Sequence, residues 1–271
     1  MTRHTLVLAG HSLRRMRAIL IGVSLVLAGF QFLLTQVAVF LMRSQAFGVL
    51  SSLVPDFMRS LAGPSMLAFM SFTGVVSLGY FHPIVIATLI GLTIAIATEP
   101  AGEVETRFVD LALARPIART QVITRSLIVL VISEAAVLGM MTAATWTGLA
   151  CCTPATAPRP AASIIRSLAL NLAIIAWCWG GIALAIAAAA RRRATASSLA
   201  GITALAAYLL DYLGRVWEPA RYASKLSPFH YFEPMSLITG TPLSGRNVAV
   251  LLTVGVLGTT ASYIAFSRRD L

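Results

Sequence analysis

Six long apolar runs divide this sequence, and they decide which solvent the chain can fold in. The runs cover about residues 18–42, 82–98, 126–151, 164–190, 196–213 and 248–266. A helix of about 20 apolar residues crosses the hydrocarbon core of a bilayer, and the two shortest runs reach that length with their flanking residues. Of the 271 residues, 58% are hydrophobic and 11% are charged, whereas soluble domains are about 25% charged. We therefore expect an all-α polytopic membrane protein with six transmembrane helices in a single domain, residues 1–271.

The arginines between the runs indicate how the helices are oriented. Arg14, Arg15 and Arg17 precede the first run, and residues 191–193, all arginine, separate the fourth and fifth runs with almost no loop. Because Lys and Arg are enriched in cytoplasmic loops, this placement predicts that both termini are cytoplasmic. The net charge of +11 is dispersed in small groups rather than concentrated in a basic domain, which argues against a nucleic-acid-binding protein.

Residues 1–17 have two interpretations. Leu6, Leu13 and Met16 recur at helical spacing beside arginines, which suits an amphipathic helix lying on the cytoplasmic leaflet. The same residues also suit a plain positive flank of the first transmembrane helix, and the sequence leaves both interpretations open.

Two outer segments are long enough to hold structure of their own. Residues 43–80 contain prolines and glycines but stay fairly apolar. Residues 214–247 contain five aromatic residues: Trp217, Tyr222, Phe229, Tyr231 and Phe232. Because aromatic rings prefer the membrane–water interface, we predict that both segments form short helices at or dipping into the outer interface.

The longest inner segment, residues 99–119, carries a large share of the negative charge. It holds four of the ten acidic residues: Glu99, Glu103, Glu105 and Asp110. Pro100 and Pro116 bracket a stretch of helix length, and acids in its first half with Arg115 near its end match the helix dipole. We predict a short charged helix on the cytoplasmic surface.

An apolar stripe on this helix suggests a role for it. Phe108 and Leu111 share one face of the predicted helix. Such a helix can dock into a groove on a soluble partner. A helix that is only solvated, or that lies on the lipid, is the alternative interpretation.

Several short segments occur together in an order found in one family of transport proteins. They are, in chain order, His82-Pro83, Gly102-Glu103, residues 109–114 (Val-Asp-Leu-Ala-Leu-Ala), residues 115–119 (Arg-Pro-Ile-Ala-Arg), residues 226–229 (Leu-Ser-Pro-Phe) and residues 266–271 (Phe-Ser-Arg-Arg-Asp-Leu). With the six apolar runs, these segments resemble the permease subunits of bacterial type 2 ABC exporters over nearly the whole chain.

The resemblance implies a transport subunit, not an enzyme, in the bacterial cytoplasmic (inner) membrane. Two permease chains, identical or paralogous, would pair, and ATP-binding cassette ATPase subunits carrying ATP and Mg²⁺ would dock beneath them. The coupling loop, residues 99–119, would seat on the ATPase through six residues: Glu103, Phe108, Asp110, Leu111, Arg115 and Pro116. The implied substrate is hydrophobic or amphipathic, such as a drug, an antibiotic or a lipid-like molecule.

Nucleotide or metal chemistry within the chain itself is not expected. A P-loop needs Gly-Lys-Ser/Thr so that its lysine reaches phosphate, and the sole lysine, Lys225, lies in Ser-Lys-Leu. The four histidines lack zinc-site spacing, and the serines show no His/Asp constellation. We expect no catalytic, cofactor-binding or metal site.

Polar residues within the apolar runs are the remaining candidates. An ionisable group at membrane depth is costly and therefore a functional candidate, and we assign Glu134, with Asn171, to a candidate substrate path or gate; a residue facing a polar cavity or a partner subunit is the other interpretation. Asp211 and Arg215 are spaced for a helical ion pair, and Gly180-Gly181 is typical of close helix packing. The alternative function is a stand-alone secondary transporter or membrane-embedded enzyme, although no inverted repeat of the kind secondary transporters show is found.

Overall fold

The computed structural model describes residues 3–47, 70–106, 118–154, 157 and 159–268. The described part of the chain is helical and forms no strand. Its α-helices are α1 (Arg3–Arg43), α2 (Phe72–Ser77), α3 (Pro83–Ala97), α4 (Glu99–Glu105), α5 (Arg119–Cys152), α6 (Ala162–Ala189), α7 (Arg193–Val216), α8 (Arg221–Ser224), α9 (Pro234–Ile238) and α10 (Gly245–Ser267). Short 3₁₀ helices lie at Leu78–Tyr80, Glu218–Ala220 and Pro228–Tyr231.

Six helical segments are long and apolar enough to cross a bilayer, which confirms the predicted polytopic all-α fold. They are Thr5–Arg43, Phe72–Glu105, Thr120–Cys152, Ala162–Ala189, Arg193–Val216 and Gly245–Ser267. The second segment starts about ten residues earlier than the apolar run, because α2 and the 3₁₀ helix extend α3. Lipid offers no hydrogen bonds to the backbone, so each crossing segment satisfies its own amides as a helix.

Helices α1 and α5 run in the same direction and define the two faces of the bundle. At one end, Arg43 Nη2 donates to the carbonyl oxygen of Cys152 at 3.2 Å. At the other end, His11 and Arg125 line one cleft. We call the latter end the N-terminal face and the former the distal face. Phe266 packs near the start of α5, so both described ends of the chain lie on the N-terminal face; that this face is cytoplasmic stays a prediction.

The N-terminal segment, for which the sequence allows an amphipathic helix or a plain positive flank, is continuous with the first span. Helix α1 has 41 residues and is therefore about 60 Å long, twice the thickness of the hydrocarbon core. Its packed face starts with Thr5 and includes Met16, whereas Leu6 is 53% exposed. Of the predicted stripe, Leu13 and Met16 pack against the core, and Leu6 alone lies away from the buried face.

Helix α6 lies at the centre of the bundle and contacts α10 closely. A Cβ atom added at Gly181 would overlap the carbonyl oxygen of Gly255, and one added at Gly258 would overlap the backbone of Gly181. These glycines let the two backbones touch, as small residues do in membrane helix pairs. The predicted packing role of Gly180-Gly181 is confirmed, since Gly180 also faces Leu130.

The distal segment after α7 folds back onto the bundle. Trp217 and Tyr222 are exposed, as expected for interfacial rings, whereas Phe229 and Phe232 are buried. The Phe229 ring lies 5.6 Å from that of Trp179. The short helices predicted for this segment are present. Phe229 and Phe232 pack on the core of the bundle, and the position of the segment in the outer interface stays a prediction.

Candidate functional site

Helix α4 is the described part of the predicted coupling loop. It follows α3 after a single residue, Thr98, whose hydroxyl donates to the Ile94 carbonyl oxygen at 2.8 Å. Pro100 lies in the first turn of α4, where its missing N–H costs nothing, so the chain can turn at Thr98 and continue as a second helix. The negative charge of Glu99, at the start of α4, also interacts favourably with the positive end of the helix dipole.

Two acidic residues of α4 bind the neighbouring spans. Glu103 Oε1 lies 2.5 Å from Arg125 Nη1 on α5, and the two side chains are only 13% and 5% exposed. Glu105 Oε2 accepts a hydrogen bond of 2.9 Å from the backbone N–H of Arg193, the first residue of α7. Arg193 in turn donates through Nη2 to the Ala95 carbonyl oxygen on α3 at 3.0 Å. Helix α4 is therefore tied to both α5 and α7.

A cleft of about 320 Å³ opens beside these contacts on the N-terminal face, and we call it the N-terminal cleft. Its walls come from α1, α4, α5 and α7. The charged and ionisable residues that line it are His11, Arg15, Glu99, Glu103, Glu105, Arg125 and Arg193. Both signs of charge are therefore present within one small volume.

Of the six predicted ATPase-coupling residues, the structure describes one. Glu103 lies against Arg125, with its carboxylate turned into the bundle. The other five lie outside the described residues: Phe108, Asp110, Leu111, Arg115 and Pro116. Their contact with an ATPase stays a prediction.

Glu134 is buried in the middle of the bundle. Its Oε1 atom accepts a hydrogen bond of 3.1 Å from Thr93 Oγ1 on α3. Asn171 on α6 is also buried, and its Nδ2 atom has no hydrogen-bond partner within the described residues. No hydrogen bond joins Glu134 to Asn171 in the described part of the chain, so the structure keeps these two candidates as separate polar points on different helices.

A continuous groove runs between α3 and α7. Its inner part is an apolar cavity of about 320 Å³, lined by residues that include Ile90, Gly91 and Ala204. Its outer part, towards the distal face, is a cavity of about 510 Å³ with charged residues on its rim. Tyr208 and Phe229 line both cavities, so the two parts form one amphipathic groove, which we call the α3–α7 groove.

The polar rim of this groove is organised around Asp211. Arg215 donates to Asp211 Oδ2 through Nε at 3.0 Å and Nη2 at 2.8 Å, which confirms the ion pair predicted from their spacing. His230 Nδ1 lies 3.8 Å from Asp211 Oδ1 and 3.5 Å from Ser224 Oγ. Because both contacts use the same ring nitrogen, these residues do not have the geometry of a serine hydrolase triad, in which the two imidazole nitrogens contact different partners.

Several residues of these sites have no strong signal in the sequence. From the sequence alone, Arg125 and Arg193 indicate only the orientation of the membrane helices, since each stands at the start of an apolar run. Tyr208 and Phe229 are ordinary aromatics in the sequence. Their roles arise from which helices are neighbours, and only the fold supplies that information.

Among the residues that the structure describes, no group of three or more His, Cys, Asp or Glu side chains could hold a metal ion. No protein family model, no curated protein and no solved structure matches this chain. The function therefore has to be argued from the geometry of the bundle.

Proposed function

We propose that this chain is the membrane-spanning subunit of an ATP-driven exporter in a bacterial cytoplasmic membrane. It pairs with a second permease chain, a copy or a paralogue, and a separate ATPase subunit supplies the energy. The observation that carries the proposal is the attachment of α4, on the N-terminal face, to α5 through Glu103–Arg125 and to α7 through Glu105–Arg193.

These contacts give a route from the N-terminal face to the groove. A force on α4 acts on Arg193, which begins α7, and α7 forms one wall of the α3–α7 groove. Arg193 also bonds Ala95 on α3, the other wall. In this proposal, a push from an ATPase on α4 changes the spacing of the two helices between which a substrate binds.

The groove also supports the substrate class. Its inner part is apolar, and its rim carries Asp211, Arg215 and Glu233. Two acids against one arginine favour a cationic group at the rim, with the apolar part of the molecule between α3 and α7. We propose amphipathic substrates with a cationic head.

The test is transport by a reconstituted complex. The full chain is purified with the ATP-binding subunit that co-purifies with it and is placed in liposomes, and uptake of rhodamine 6G, an amphipathic cationic dye, is measured. We expect uptake that needs both ATP and the ATPase subunit. Uptake by the chain alone, driven by an ion gradient, would contradict the proposal.

A stand-alone secondary transporter is the second candidate, and Glu134 favours it. A buried carboxyl group at membrane depth, bonded only by a threonine hydroxyl in the described structure, is typical of residues that carry protons in transporters. The same liposome experiment with a proton gradient and no ATP separates the two functions.

A further inference from the structure

Arg125 lines the N-terminal cleft, and one edge of its guanidinium group has no partner within the described residues. Its Nη1 atom is used by Glu103, but its Nε and Nη2 atoms are buried and have no hydrogen-bond partner within the described residues. The residue as a whole is only 4% exposed. Nε and Nη2 form the fork with which arginine binds carboxylate or phosphate in a bidentate manner. A buried guanidinium edge left unpaired by the protein is costly and therefore indicates a ligand with two acceptor oxygens.

The same cleft holds an acid that forms no ion pair within the described part of the chain. This acid is Glu99, which is 6% exposed. Glu103 and Glu105 are already bonded, to Arg125 and to the Arg193 amide. Buried charges in proteins are usually paired. The cleft therefore offers one site for an anionic group and one for a cationic group.

The expected depth of the cleft in the membrane indicates which class of ligand can reach it. The lining residues lie just outside the apolar runs: 8–15 precede the first run, 99–106 follow the second, Arg125 immediately precedes the third, and Arg193 lies shortly before the fifth. Positions directly flanking transmembrane runs lie at the level of the lipid headgroups. The volume of about 320 Å³ is at the lower end of the range of small-molecule sites, about 300–1,000 Å³.

We propose that the N-terminal cleft binds the phosphoethanolamine headgroup of a membrane phospholipid, with the phosphate on the Nε/Nη2 edge of Arg125 and the ammonium group on Glu99. Arg15, which lines the same cleft and is exposed, adds a second cation for the phosphate. This site lies apart from the α3–α7 groove and does not depend on the proposed export function.

A zwitterion fits this cleft better than a simple anion. An anionic lipid would meet the Glu99 carboxylate without a compensating positive group, whereas a primary ammonium donates hydrogen bonds to it. A choline headgroup has the same net charge but no N–H to donate. The chemistry therefore predicts a selectivity among three lipids with identical acyl chains: phosphatidylethanolamine above phosphatidylcholine and phosphatidylglycerol.

The experiment measures the affinity of the full chain for each of these lipids by native mass spectrometry from detergent. We expect phosphatidylethanolamine to bind roughly tenfold more tightly than the other two, as one charge-assisted hydrogen bond allows. Glu99→Gln should lower its affinity about tenfold, to that of phosphatidylcholine. The double variant Glu103→Gln/Arg125→Gln removes both charges of the ion pair together. It should lower the affinity for all three lipids alike, because the phosphate site is lost.

Two further variants keep the test decisive if the double variant folds poorly. Arg15→Gln changes an exposed residue of the cleft and should moderately lower the affinity for all three lipids. Arg192→Gln changes an exposed arginine that does not line the cleft and should have no effect.

Soluble phosphoethanolamine and inorganic phosphate are added in separate titrations. Displacement of the lipid by millimolar phosphoethanolamine supports the headgroup chemistry. Tight binding of phosphoethanolamine without any lipid selectivity would overturn the assignment of a lipid. Equal affinities for the three lipids, or a Glu99→Gln protein indistinguishable from Arg192→Gln, would overturn the site itself.

Discussion

Glu103 and Arg125 form an ion pair of 2.5 Å across 22 positions of the sequence, and both side chains are largely withdrawn from solvent. The pair joins α4, the described helix of the coupling loop, to α5. A buried pair is costly to break, because removal of one partner leaves the other charge without compensation. The pair therefore reports directly on whether α4 is held against α5.

A double-mutant cycle on this pair gives the first prediction. Arg125→Gln should destabilise the protein by about 3–5 kcal/mol, the loss seen when a buried pair is broken on one side. Glu103→Gln/Arg125→Gln should recover much of that loss, because neither charge remains. Thermal unfolding in detergent measures these two variants and Glu103→Gln, and additive losses would show that the two residues are not coupled.

The second prediction concerns the orientation of the bundle. In a Cys151→Ser/Cys152→Ser background, Ala194→Cys should resist a membrane-impermeant thiol reagent added to intact cells, because Ala194 lies near the N-terminal face. Leu226→Cys, at a distal residue that is 84% exposed, should be labelled. The reverse pattern would place the N-terminal face outside the cytoplasm.

The third prediction separates the two candidate functions through Glu134. Glu134→Gln keeps an acceptor oxygen for Thr93 but cannot ionise. An ATP-driven exporter should therefore keep transport within about twofold in this variant and lose it in Glu134→Leu, where the Thr93 hydroxyl loses its partner. Complete loss in Glu134→Gln, with unchanged thermal stability, would favour proton coupling.

The fourth prediction fills the α3–α7 groove without disturbing the fold. Gly91 lines the apolar part of the groove, and an added Cβ would meet nothing within 4 Å. Gly91→Leu should lower ATP-driven rhodamine 6G uptake about tenfold at unchanged stability, since one leucine side chain occupies space that the substrate needs. Gly139→Leu is the matched control, because Gly139 on α5 is equally open but lies outside the groove. Equal uptake by the two variants would exclude the groove as the substrate path.

The fifth prediction tests the contact between α6 and α10. Gly181→Ala should destabilise the bundle by about 1–3 kcal/mol, because the new methyl group forces α6 away from the Gly255 carbonyl. Gly139→Ala, with open space around it, should not. Equal unfolding temperatures for the two variants would show that the helices can separate freely.

The number and positions of the spans could be predicted because they depend on local composition. The sequence indicates that the second span draws on residues before His82, but not that it starts at Phe72. Helix α2 is held by contacts across the bundle: Gln31 Nε2 donates to the Val76 carbonyl oxygen at 2.8 Å. The Tyr80 hydroxyl lies 2.9 Å from Thr145 Oγ1 on another helix. Residues 70–81 show no periodicity from which these partners could be predicted.

The candidate sites show the same division between local and distant contacts. Asp211–Arg215 was predicted because i and i+4 are neighbours on any helix. Glu103–Arg125 and Glu105–Arg193 join residues far apart in sequence, and they require knowledge of which helices touch. The sequence pointed to the acids of the coupling loop but not to the arginines that receive them.

Helix α1 is unbroken from Arg3 to Arg43, far longer than the hydrocarbon core is thick. Its far end is hydrogen-bonded to the carbonyl oxygen of Cys152 on the distal face, and His11 near its start lines the N-terminal cleft. One uninterrupted helix therefore joins the cleft at one end of the bundle to the last turn of α5 at the other.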